Sequence, residues 1–111
     1  VNILDPILDQ FPGMRITNTV RNWEQGGQHT YGQAADLQIP NNHGKHYDMA
    51  VWIQNNLPFD QLLQEKSGTS TRWIHVSHYS GFGYQVPAIN KVANCVVSPN
   101  YSFTPGLALM T

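Results

Sequence analysis

The chain has 111 residues, of which 41% are hydrophobic and 12% charged, with Lys+Arg 6 against Asp+Glu 7; this composition makes one small folded domain and excludes a disordered tail. The formal net charge of -1 excludes a partner held mainly through phosphate charge, so no nucleic acid is expected. The single cysteine, Cys95, excludes an intrachain disulfide and a cysteine zinc cluster, so any metal would be held by histidine and carboxylate.

No apolar run approaches the roughly 18 residues of a membrane span, and the start, Val1-Asn2-Ile3-Leu4-Asp5, has neither the basic nor the apolar region of a signal peptide. A start without methionine is expected of a processed product or of a domain cut from a longer protein. Ile3, Leu4, Ile7, Leu8 and Phe11 fall at helical spacing, with Asn2 as a candidate cap, and predict a helix to about Gln10 that Pro12-Gly13 ends. Met14 to Thr17 alternates like a short strand, and the polar stretch from Asn18 to Thr30 reads as a long loop.

Ala34 to Ile39 reads as a second strand, stopped by Pro40. The clearest helix is His46 to Asn56, where Tyr47, Ala50, Val51, Ile53 and Leu57 gather on one side before Pro58. Phe59 to Leu63 is a third strand, Glu65 to Thr71 a flexible turn, Trp73 to His78 a fourth strand, and Tyr84 to Val86 a short last one. With Pro99 and Pro105 and little periodicity, the chain divides into a domain over 1–94 and an irregular C-terminal arm over 95–111. The expected fold class is α+β, a small antiparallel sheet with flanking helices.

Side-chain direction picks out three residues. Alternation puts Trp73, His75 and Ser77 on one face of the fourth strand and Ile74 and Val76 on the other. Asp36 lies in an otherwise apolar strand, where an acid is costly to bury unless it is paired or binds a metal. With His29 at the end of the long loop, Asp36 and His75 would offer two nitrogens and one oxygen and leave a fourth zinc position open. At this stage the plainer alternatives stay open: a hydrogen-bonded strand histidine at His75, a salt bridge from Asp36 to Arg21 or Arg15, and a solvated His29. The remaining candidates have bland readings: His43 and His46 solvated beside a helix start, His78 opposite His75, Asp48 favoured by a helix dipole, and Trp23 and Trp52 in packing.

The segment His29-Thr30-Tyr31-Gly32-Gln33-Ala34-Ala35-Asp36 resembles the His-x-x-Gly-x-Ala-x-Asp signature of the D-alanyl-D-alanine metallopeptidases, a group similar to hedgehog domains that includes phage L-alanyl-D-glutamate endopeptidases. Trp73-Ile74-His75-Val76-Ser77 resembles the strand with that family's last zinc ligand, Phe59-Asp60-Gln61-Leu62-Leu63 its Phe-Asp-Gln-Leu-Ile strand, Asn2 to Phe11 its first helix, and Ile16 to Asn22 its Ile-Thr-Ser-Gly-Tyr-Arg-Ser stretch. The resemblance implies the hedgehog and DD-peptidase zinc fold, with Zn2+ as the cofactor and His29, Asp36 and His75 as its ligands. It further implies a peptidase of peptidoglycan stem peptides, acting as a D,D- or L,D-type carboxypeptidase or endopeptidase in phage-encoded cell-wall lysis.

By the same resemblance Arg21 would hold a substrate carboxylate or carbonyl oxygen; Trp73, which alternation puts on the face of His75, is a candidate substrate contact. The position of the family's usual glutamate is Arg72 here, so the general base is assigned to Glu65, which resembles the acid of another branch, with Asp60 as second choice. Two departures are plain: Gly27 stands where the family has Ser, and Asn18-Thr19-Val20-Arg21 keeps only the arginine of Ser-Gly-Tyr-Arg. They motivate an alternative, a catalytically silent zinc-binding module of a phage tail or baseplate whose partners are other virion subunits. The expected location is a phage virion or the bacterial cell envelope.

Overall fold

In a computed structural model of the chain, the residues described are 4–18, 34–40, 45–68, 71–77 and 91–110. They form two helices, α1 (Leu4–Gln10) and α2 (Lys45–Asn56), and six strands: β1 (Arg15–Asn18), β2 (Ala34–Gln38), β3 (Gln61–Ser67), β4 (Thr71–Ser77), β5 (Val92–Ser98) and β6 (Ser102–Pro105). The strands make one sheet in the order β1-β2-β4-β3-β5-β6. All neighbours are antiparallel except β3 and β5, which run parallel. The α+β class expected from the sequence is present, but the sheet is mixed and open rather than wholly antiparallel.

Local chemistry accounts for the helix limits. Pro6 sits in the first turn of α1, where a missing N–H costs nothing. Phe11 N–H bonds Ile7 O at 2.8 Å and Met14 N–H bonds Phe11 O at 2.9 Å, so the chain turns through Pro12-Gly13 into β1. In α2 the last turn closes with Leu57 N–H on Ile53 O at 3.0 Å, and Pro58 follows. Trp52 packs edge-on to Phe11, with ring centroids 6.1 Å apart. One expectation for this region is corrected: His46 is buried, not solvated, and its Nε2 accepts the Ile39 N–H at 3.1 Å.

Period-two alternation decides what each face of the sheet carries. Ala35, Leu37, Leu62, Ile74 and Val76 project to one face, where Ile7 of α1 and Met49, Ala50 and Ile53 of α2 complete the core. Each fully buried aliphatic side chain of this kind stabilises the fold by about 1.5–3 kcal/mol. The opposite face carries Asp36, Leu63, Glu65, Trp73, His75 and Cys95, which the strand registers bring side by side.

Two segments depart from the expected reading. Glu65, Lys66 and Ser67 belong to β3 rather than to a flexible turn: Lys66 pairs with Arg72 and Ser67 with Thr71, and Gly68 takes a left-handed φ of 66°. The flexible turn expected over Glu65 to Thr71 is therefore mostly strand, paired in the β3–β4 ladder as far as Ser67 and Thr71. Likewise, the arm expected to be irregular from residue 95 contributes most of β5 and all of β6. Pro105 ends β6 on the sheet edge, where its missing N–H breaks no ladder. Beyond it the chain crosses the helix-side face: Leu107 packs on the core, Ala108 O accepts Gln64 Nε2 at 2.8 Å, and Met110 O accepts Arg72 Nη1. The strand expected at Tyr84 to Val86 lies outside the described residues, as does the long loop expected over Asn18 to Thr30 apart from Asn18, which ends β1.

Candidate metal centre

The centre is built on β2, β4 and β3, adjacent strands in the middle of the sheet. Asp36 of β2 is the direct partner of His75 of β4, and their side chains leave the same face. His75 Nδ1 and Asp36 Oδ1 stand 3.3 Å apart, with side chains only 14% and 18% exposed. Small residues precede the acid, since Ala34 and Ala35 are both buried, and Thr17 Oγ1 of β1 donates to Asp36 O at 3.2 Å. The partner that Asp36 takes is thus the strand histidine, which the alternation in β4 had placed on the polar face.

Glu65 arrives from the other side. It pairs with Trp73 across the β3–β4 hairpin, so it is the diagonal neighbour of His75, within reach of a long side chain on the same face. Trp73 Nε1 donates to Glu65 Oε1 at 3.0 Å. Burial pushes the Glu65 carboxyl above its ordinary 4.5; an imidazolium at His75 pulls it down, Asp36 pushes it up, and the Trp73 hydrogen bond pulls it down. Burial wins because the group has left water on a face otherwise lined by Trp73 and Cys95.

On its far side Glu65 meets Cys95, its partner in β5. The thiol is held above its usual range by burial and then by the Glu65 charge, while a hydrogen bond from Tyr101 lowers it. Tyr101, 70% exposed, has its own hydroxyl raised, first by Cys95. Nothing in the sequence pointed to Cys95 beside Glu65. The neighbourhood depends on the parallel pairing of β3 with β5, which no local pattern encodes.

One donor atom from each of Asp36, Glu65 and His75 lies within 4.8 Å of the others. Two ligands on one zinc ion at about 2.0–2.2 Å cannot stand more than about 4.4 Å apart, and tetrahedral neighbours are separated by about 3.3–3.5 Å. The Asp36–His75 distance already matches the tetrahedral value, and Glu65 has a donor oxygen within 4.8 Å of both. One imidazole nitrogen and two carboxylate oxygens, half-buried on rigid strands, could hold a metal ion; the donor set suits zinc and other first-row ions.

Of the residues singled out in the sequence, Asp36, Glu65 and His75 converge, and Trp73 adjoins them. Asp60 precedes β3 and has its N–H on Ser77 O at 2.7 Å; it is not in the cluster. Asp48 pairs with Lys45 at 3.7 Å on the α2 surface. His29 and Arg21, with His43, His78, Gly27, Gly32 and Trp23, lie outside the described residues. Comparison of the chain with known protein families, with characterised proteins and with solved structures finds no match.

Proposed function

We propose that the chain is a zinc-dependent peptidase of peptidoglycan stem peptides. The observation that carries this reading is the convergence of Asp36, Glu65 and His75 on the sheet face away from the helices and the core. The peptide substrate and the zinc come from the resemblance of the His29–Asp36 and Trp73–Ser77 segments to the D-alanyl-D-alanine metallopeptidases. In this reading Asp36 and His75 hold the ion together with His29. When bound, zinc polarises the scissile carbonyl and lowers the pKa of a coordinated water toward about 7.

The chain's own groups do the rest. Glu65 takes a proton from the attacking water and returns it to the leaving amine. In the metal-free chain burial holds the Glu65 carboxyl above its ordinary range. Arg21 orients the substrate through a carboxylate or carbonyl oxygen.

Digestion of purified peptidoglycan by the zinc-loaded chain, with and without chelator, tests the proposal. Stem-peptide fragments released only without chelator, identified by mass spectrometry, are the expected result, and their masses name the bond. A folded, zinc-loaded chain that releases nothing would overturn the peptidase and assign the centre to tying β2, β3 and β4 together in a silent module.

A further inference from the structure

A carboxylate that shuttles a proton has two oxygens, and a site gains when only one of them is available. Glu65 Oε1 accepts the indole N–H of Trp73 at 3.0 Å. Indole nitrogen is donor-only, and a carboxyl oxygen accepts best when it carries no proton, so this contact favours a proton on Oε2 over one on Oε1. The two residues are direct cross-strand partners on the same sheet face. The backbone register therefore sets their distance, and both are half-buried. On its opposite side Glu65 is flanked by Cys95, its partner in the parallel β3–β5 ladder.

We infer that Trp73 is a positioning residue that engages Glu65 Oε1 and so leaves Oε2 as the atom that accepts and returns the proton. The inference rests on the peptidase reading above, and it replaces substrate contact as the role of Trp73. It accounts for a tryptophan at a place where any β-former would serve the strand: among large apolar side chains only indole combines strand-compatible bulk with a donor that cannot also accept. The proton balance is unchanged by this assignment. One proton leaves water for Oε2 and the same proton passes from Oε2 to the amine, while the Trp73 N–H stays on its nitrogen throughout.

Trp73→Phe keeps a ring on the strand and removes the donor. In the zinc-loaded chain acting on peptidoglycan, kcat should fall about ten- to a hundredfold, the usual range for a misaligned reacting group, with KM and zinc content unchanged. A second readout does not depend on turnover. The chain has three tryptophans, and the indole resonance lost in Trp73→Phe identifies Trp73. In Glu65→Ala that resonance should shift upfield and exchange faster with water.

A raised KM with unchanged kcat would make Trp73 a substrate contact and overturn the inference. Unchanged kinetics would overturn it too, as would loss of zinc from Trp73→Phe. An indole resonance indifferent to Glu65→Ala would show that the hydrogen bond is not formed, with the same consequence. If the wild-type chain has no peptidase activity while the indole still responds to Glu65→Ala, the peptidase reading has failed and the positioning role falls with it, although the contact is real.

Discussion

Asp36 and His75 face each other across β2 and β4 with 3.3 Å between carboxylate oxygen and imidazole nitrogen, the spacing of two ligands on one tetrahedral ion. They are direct cross-strand partners in the antiparallel β2–β4 ladder, so the pair is held by the fold before any ion arrives. His75→Ala or Asp36→Ala should therefore lower zinc affinity by more than about a hundredfold, beyond the range that loss of an outer-shell partner costs. Circular dichroism should be unchanged, because the core lies on the other face. Titration calorimetry with zinc checks this, and wild-type affinity in either variant would remove these residues from the centre.

Because Asp36 and His75 come from two different strands, an ion bound between them should stabilise the folded chain. At free zinc 100-fold above its Kd the gain should be about 2.7 kcal/mol, a rise in Tm of roughly 10–20 °C for a chain of this size. Thermal scans with and without chelator measure it. His75→Ala should abolish the shift, whereas a shift that persists would place the ion elsewhere.

Glu65 gives the metal-free chain a pH dependence whose sign follows from its raised pKa. Above the ordinary value of 4.5 the folded chain holds the proton more tightly than the unfolded one, so stability falls as pH rises from there through the folded pKa. Glu65→Gln removes this loss while keeping an oxygen for the Trp73 N–H. The variant should exceed wild type in urea stability at pH 7 and lose that advantage near pH 4. An advantage that grows toward low pH would contradict the assigned direction.

Gln64 tests whether residues 107–110 are integral to the fold. Its buried side chain donates from Nε2 to Asn94 Oδ1 and to Ala108 O, each at 2.8 Å, and so joins β3 to β5 and to the final segment. Gln64→Leu removes both of these bonds; Ala108 O keeps Asn94 Nδ2 as a donor at 3.2 Å, so the variant should destabilise the chain by about 1 kcal/mol, the net worth of an ordinary hydrogen bond. It should also expose the segment after Gly106 to limited proteolysis. Unchanged stability with no new cleavage would show that Leu107 and the bonds from Arg72 and Asn94 hold it without Gln64.

Several features of the fold and centre were legible in the residue order. The spacing of Ala50, Ile53 and Leu57 before Pro58 predicts α2, and the alternation in Trp73-Ile74-His75-Val76-Ser77 puts His75 on the face away from Ile74 and Val76, where it is found. An acid at Asp36 between Ala35 and Leu37 carried its own signal, since burying a lone carboxylate is costly. These are short-range properties, written within one turn of helix or a few residues of strand.

Strand neighbours are a different matter. Whether Glu65 begins a turn or continues β3 depends on Trp73 and Cys95 lying on either side of it, and whether residues 95–105 are an arm or two strands depends on β3 offering an edge for parallel pairing. His46 looked solvated beside a helix start because the N–H it accepts, that of Ile39, belongs to a preceding segment whose path the local pattern does not describe. By itself the sequence determined the α+β class, the two faces of β2 and β4, and the polar side on which Asp36 and His75 stand. Only the tertiary structure decided that Glu65 joins them, that Trp73 donates to it and that Cys95 lies behind it. Hydrogen bonding between strands distant in sequence sets those contacts, and periodicity along one strand cannot reveal which strand will lie beside it.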